Sequence, residues 1–173
     1  LNVNAMVWRS APAAAELEDV ATDWLRQLLG LPDGFEGVIN DTASSSTMYA
    51  LAAAREATWP EAHAKGLFGL APGRVYSSEH AHSSVEKGVL TIGLGQDGYR
   101  TIETDETFAM NPVALENAIA DDVRAGLRPC AIVATLGTTS TASMDPIGPI
   151  VEIARRHDVW LHVDGAYGGP AAM

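Results

Sequence analysis

Apolar residues along the first thirty positions recur at helical spacing. From Glu16 to Leu29, the residues Leu17, Val20, Trp24, Leu25 and Leu28 fall on one face, and Gly30 with Pro32 supplies the stop, so the pattern predicts an amphipathic helix. A short apolar run, Gly37-Val38-Ile39, then meets the small polar cluster Thr42-Ala43-Ser44-Ser45-Ser46. Met48, Leu51, Ala52 and Arg55 continue from it at helical spacing, which places the cluster at a helix start.

Beyond this point the pattern alternates between short apolar runs and longer amphipathic ones. Arg74 to Ser77 reads as a strand, His82 to Leu90 as a short helix, and Tyr99 to Thr104 as a second strand. Asn111-Pro112 is a cap and first-turn pair that opens a helix to about Ala125, with Gly126 as its stop. Ala131 to Thr135 is apolar almost throughout, as expected of a parallel strand covered on both faces. Pro149 to His157 then reads as a helix and Val159 to Val163 as a fourth strand. This β-α-β-α alternation predicts an α/β layer with a mostly parallel sheet and helices on both faces, in which ligands gather at the carboxyl ends of strands.

The bulk properties narrow the classes. The 173 residues are 47% hydrophobic, enough for one sizeable core, and the formal charge of −11 is spread along the chain, which argues against nucleic acid as a partner. No apolar stretch reaches the roughly 18 to 20 residues of a membrane span, and no signal pattern opens the chain, so a membrane location is not expected. The single cysteine, Cys130, sits in an apolar run and reads as a buried, inert thiol, which makes the cytoplasm the default location. The first residue is Leu1 and the last, Met173, follows the glycine-rich Ala166-Tyr167-Gly168-Gly169-Pro170, so both ends read as cut edges of a longer protein.

Candidate chemistry comes from three places. Asp164 closes the fourth strand, where it could be a structural cap, a metal ligand or a cofactor contact. The five histidines (His63, His80, His82, His157 and His162) lack paired spacing with carboxylates or cysteines, so a metal site is not predicted; His80 and His82, two apart, could share a strand face. No glycine-rich nucleotide fingerprint occurs, and Gly93-Leu94-Gly95 reads as a turn. The hydroxyls and N–H groups of the Thr42 to Ser46 cluster suit a phosphate at a helix amino end, or serve as an ordinary N-cap.

Five segments occur in order with plausible spacing. They are Trp8 and Pro12 with Glu16-Leu17-Glu18; Gly37-Val38-Ile39 running into Thr42-Ala43-Ser44; Ala81-His82-Ser83-Ser84-Val85-Glu86; Ala134-Thr135-Leu136-Gly137-Thr138-Thr139; and Trp160-Leu161-His162-Val163-Asp164-Gly165-Ala166-Tyr167. Across nearly the whole chain this set resembles the group II pyridoxal-phosphate (PLP) dependent amino-acid decarboxylases, of which aromatic-L-amino-acid decarboxylase is typical.

The resemblance implies part of the large PLP-binding domain of a fold-type I (aspartate aminotransferase-like) enzyme, with residues 1–30 as an N-terminal helical segment and 31–173 as the partial large domain. It implies pyridoxal 5'-phosphate as cofactor, with Asp164 against the pyridine nitrogen and His82 over the ring as the catalytic residues. Thr42, Ala43 and Ser44 would form the phosphate cup, and Thr139 and Ala166 would lie near the ring. It further implies an L-amino-acid substrate, with the aromatic amino acids as candidates, released as amine and CO2, and a homodimer with the site near the subunit interface. A related PLP lyase, an aldehyde-forming variant and a truncated non-catalytic homologue are the alternatives. The lysine that would hold the cofactor as a Schiff base is expected beyond Met173, since Lys65 and Lys87 fit neither its context nor its place. Three departures from the animal enzymes' pattern stand out: Ala15 where a Thr often contacts substrate, Gly165 where an Ala is usual, and Asp41 beside the phosphate cup.

Overall fold

A computed structural model of the chain describes residues 7–172, so Met173 and the first six residues of the 1–30 segment lie outside the described residues. The chain forms two compact units, residues 1–41 with 170–173, and residues 42–169.

In the first unit, α1 spans Pro12–Leu28, starting earlier than the apolar pattern alone predicts because Pro12 is pre-set for a first helical turn. Its apolar stripe, including Leu17, Trp24 and Leu28, is exposed. Two side chains hold the flanking segments: Trp8 Nε1 donates to Glu16 Oε1 at 3.1 Å, and the Ile39 N–H donates to Glu18 Oε1 at 2.7 Å. The run at Gly37 is irregular, and Gly37 is where chain crosses helix, since a Cβ there would come within 2.4 Å of Thr22 Cβ.

The second unit is a three-layer sandwich. Helices α2 (Ala43–Thr58), the short α3 (Ala62–Lys65), α4 (Ser84–Thr91), α5 (Pro112–Arg124) and α6 (Ile147–His157) accompany strands β1 (Gly73–Ser78), β2 (Tyr99–Ile102), β3 (Arg128–Thr135) and β4 (Trp160–Asp164). The sheet order is β2-β1-β3-β4 and every pairing is parallel. Each crossover therefore needs a helix, as the alternating pattern requires.

The helix starts follow from their caps. Thr42 and Ser45 form a capping box at the head of α2, and the Asn111 side chain accepts the Val113 and Ala114 N–H groups with Pro112 behind it. Gly126 closes α5 with φ +81°. β3 is central, and its last six residues are buried without a break, which explains why its sequence does not alternate. Cys130 lies there, and burial pushes its thiol pKa up, away from reactivity.

The two faces carry separate cores. Leu51 and Ala54 of α2 and Val85 and Val89 of α4 pack on Val75, Ala131 and Val133, whereas Leu115 and Ile119 of α5 and Ile150 and Ile153 of α6 pack on Tyr76, Ile132 and Ala134. The second core also holds a polar knot. Tyr76 Oη donates to Asp122 Oδ2 at 2.9 Å, and Arg100 Nη1 donates to Asp122 Oδ1 at 2.7 Å. Burial and the Asp122 charge together push the Tyr76 hydroxyl pKa far up, so it remains a donor.

Asp122→Ala strands a buried tyrosine hydroxyl and a half-buried guanidinium, so the substitution is expected to destabilise the fold by about 3 kcal/mol in urea denaturation. A loss below about 1 kcal/mol would contradict this account of the knot.

Candidate active site

The connectivity locates the site before any side chain is considered. From β1 the chain crosses through α4 on one face to β2 at the sheet edge, whereas from β2 onward α5 and α6 cross on the other face to β3 and β4. The segments leaving β1 and β3 thus part in opposite directions, and the crevice between their carboxyl ends is the switch point where open α/β sheets bind ligands.

A pocket of about 130 Å³ lies at this edge, lined by His82, Thr135, Gly137, Thr139, Asp164, Ala166 and Tyr167. Its size is comparable with the roughly 150 Å³ cavities that accept a benzene-sized ring. Four of the expected residues, His82, Thr139, Asp164 and Ala166, are brought together here. Asp164 and Thr135 form a buried floor at 9% and 4% exposure, while His82, Thr139, Ala166 and Tyr167 form an exposed rim.

The floor is set by strand register. Thr135 and Asp164 are partners at the ends of β3 and β4, and their side chains share the face covered by α2 and α4. Asp164 Oδ1 accepts the Ala166 N–H at 3.1 Å. Among the described residues no Lys or Arg pairs with this carboxylate. His162, two residues back on the same face, has its pKa lowered by burial, opposed by the Asp164 charge, and burial thus favours its neutral form.

The rim depends on close backbone approach. The Gly168 N–H donates to the Leu136 carbonyl at 2.8 Å, and a Cβ on Gly168 would lie 2.4 Å from that oxygen. Gly137 has φ +87° and sits against the Tyr167 ring. At Gly165 a Cβ would meet Gly169 Cα at 3.2 Å, so this glycine relieves a tight spot that alanine would have to push open.

His82 precedes α4 in a turn, so it and His80 do not share a strand face as their spacing allows. The His80 ring instead meets Phe108 edge-on, with ring centroids 5.3 Å apart. His82 Nδ1 lies 3.2 Å from the Ser84 N and 2.9 Å from Ser84 Oγ. A backbone N–H can only donate, so Nδ1 accepts and the neutral ring carries its proton on Nε2.

Thr42, Ala43 and Ser44 are not in the pocket lining, but they stand at the same edge of the sheet. Near the other end of α2, Ala57 and Thr58 meet Arg128, Pro129, Val159 and Trp160 at the amino edge, so α2 runs antiparallel to the strands and its 16 residues, about 24 Å, carry its head toward their carboxyl ends. The Thr42 hydroxyl is occupied in the capping box, which leaves the Ala43 and Ser44 N–H groups as donors the helix does not use. Ala15 and Asp41 belong to the first unit.

Asp145 supports the pocket from behind and is not among the residues the sequence singles out. It is 3% exposed, its Oδ2 accepts the Thr135 N–H at 2.7 Å, its Oδ1 accepts the Met110 N–H at 2.8 Å, and its own N–H donates to the Thr135 carbonyl at 2.9 Å. Burial raises its pKa, and the two N–H donors oppose that rise. The carboxylate thus clamps the strand end that presents Thr135. No periodicity or motif marks it.

Asp145→Asn keeps one acceptor and points an NH2 group at a backbone donor, so a loss of about 2 kcal/mol is expected. Amide exchange at Thr135 and Met110 should quicken at least tenfold, and unchanged exchange would show that the clamp does not hold the strand end.

Comparison with known proteins agrees with this fold. Residues 1–173 match the pyridoxal-dependent decarboxylase conserved domain. The chain is 39% identical over 181 residues to tyrosine decarboxylase 2 of Arabidopsis thaliana, covering all of this chain and 33% of that protein. It is 36% identical over 181 residues to phenylacetaldehyde synthase of Petunia hybrida, covering all of this chain and 35% of that one. The solved structure of Oryza sativa TDC with PLP and tryptamine superposes with a TM-score of 0.92 at 36% identity, over 99% of this chain and 37% of that one. The chain therefore spans about a third of the length of the relatives it matches.

Proposed function

The chain belongs to the pyridoxal-dependent decarboxylase family, and from that premise we propose that the full gene product binds pyridoxal phosphate in this pocket and decarboxylates an aromatic L-amino acid to the amine and CO2. The observation that carries the reading is Asp164, a 9% exposed carboxylate without a cationic partner among the described residues. A buried charge left uncompensated is costly, and a protonated pyridine nitrogen is the cation that fits beside it.

The cofactor, when bound, supplies an electron sink for the bond to the substrate's α-carbon. The protein's residues do the rest. Asp164 holds negative charge where a ring nitrogen would sit and so favours the protonated ring. His82, oriented by Ser84, lays a flat imidazole at the rim with its Nε2–H free to donate. Ala166, Gly137 and Gly168 keep the rim shallow enough for a planar ring. The amide donors at the head of α2, at Ala43 and Ser44, suit a phosphate dianion through hydrogen bonds and the helix dipole.

The aromatic substrate class is supported by the named activities of the relatives. A second reading, an aldehyde-forming enzyme, is supported by the similarity to phenylacetaldehyde synthase, because residues that grip a cofactor do not fix which products leave. The family resemblance supports a homodimer for the full gene product, and the single buried Cys130 supports a cytoplasmic location.

The test uses the full gene product with PLP and a panel of aromatic and acidic L-amino acids, with CO2, amine and aldehyde quantified separately. Amine in step with CO2 from an aromatic substrate supports the first reading, and aldehyde in its place supports the second. Asp164→Asn should lower turnover by about 100-fold or more while the protein stays folded. Turnover within tenfold of the native protein would remove Asp164 from the chemistry.

A further inference from the structure

Thr135 is held at every backbone atom that can bond and at no side-chain atom. Its N–H and carbonyl are both engaged by Asp145. Its hydroxyl oxygen is sealed from solvent and has no hydrogen-bond partner among the described residues. A valine of the same shape would avoid that desolvated hydroxyl, so the threonine carries a cost that packing does not explain.

The surroundings limit what could offset the cost. Thr135 is 4% exposed, lines the pocket, and lies directly across from Asp164 in the β3–β4 register. Of the side chains in that lining, Asp164 alone is anionic. His82 Nδ1 already accepts from Ser84, and the neutral ring's other nitrogen is a donor. Asp164 Oδ1 takes the Ala166 N–H, so the carboxylate retains acceptor capacity. Rotation of about 120° around χ1 carries the hydroxyl into the place of the methyl group and the methyl into that of the β-hydrogen, a change between staggered wells.

We infer that Thr135 is a positioning residue for Asp164: its hydroxyl turns to donate to the carboxylate when a ring is seated over it, fixing the carboxylate plane against the ring nitrogen. This inference rests on the proposed cofactor reading. A flat ring across the pocket mouth shuts Asp164 off from water, and a desolvated carboxylate needs donors it can otherwise draw from solvent. The bond formed is charge-assisted, the strong kind, and it forms only in the loaded site.

Because the hydroxyl is a burden in the free protein and a donor in the loaded one, its removal acts with opposite signs in the two states. The experiment compares native protein, Thr135→Val, Thr135→Ser and Asp164→Ala in the full gene product, reading the thermal midpoint of the apoprotein and the PLP dissociation constant by tryptophan fluorescence. Thr135→Val is expected to melt at or above the native apoprotein while binding PLP about tenfold more weakly. Thr135→Ser should bind within about threefold of native. Adding Thr135→Val to Asp164→Ala should change the dissociation constant no further. Thr135→Val that binds PLP as tightly as native, or that weakens it equally without Asp164, overturns the inference and leaves the cofactor reading standing. A native protein that binds no PLP fails the cofactor reading itself, and the inference with it.

Discussion

The parallel pairing of β3 with β4 is the constraint on which the site depends. It places Thr135 opposite Asp164 at the carboxyl edge, with Val133 opposite His162 one step below and Ala131 opposite Trp160 below that. A slip of one residue would turn Asp164 to the other face of the sheet, into the layer of α5 and α6. Register is fixed from both directions: the continuous apolar run of β3 buries it at the centre, and Asp145 clips its last residue by two hydrogen bonds.

The sheet divides its length between two tasks. Toward the amino ends and middle, side chains interdigitate with the helices on each face, and polar groups such as Tyr76 and Asp122 satisfy one another. Unpartnered buried polar atoms occur there too, at Trp59 Nε1 and Arg55 Nε, but at the carboxyl edge the exceptions gather around one pocket. An anion without a cation, a hydroxyl without a partner and glycines packed backbone to backbone are gathered within a few residues of the strand ends. Each is unfavourable for folding alone, and such exceptions concentrate where a fold has been shaped for a ligand. The larger cavity of about 370 Å³ at the amino edge shows the contrast: His157, which lines it, is already bonded to Glu116 at 2.6 Å.

Much of this was legible in the sequence, and the limits have physical causes. The central strand β3 was readable because it is parallel and covered on both faces, so its apolar run is dense; the α5 helix was readable because Asn111-Pro112 and Gly126 mark both ends. Pro12 drew α1 back beyond the first apolar position of its stripe, and β3 reaches back to Arg128, where the residues turn polar at the open end of the strand. Four site residues were identified from motifs and meet in one pocket. Asp145 was not, because its role arises from two backbone N–H groups, one 35 residues away and the other 10, which only the fold brings together. Thr135 was visible within a motif, yet its orphaned hydroxyl is a property of burial and cannot be read from the sequence.

The central claim is that Asp164 supplies the charge that keeps a bound pyridine ring protonated. The most direct test is the nitrogen-15 NMR spectrum of PLP labelled at its ring nitrogen, bound to the full gene product at a pH where the free cofactor's ring is unprotonated. The account predicts a pyridinium signal for the native protein and its loss in Asp164→Asn. An unprotonated ring in the native protein, or a pyridinium that survives the substitution, would contradict it.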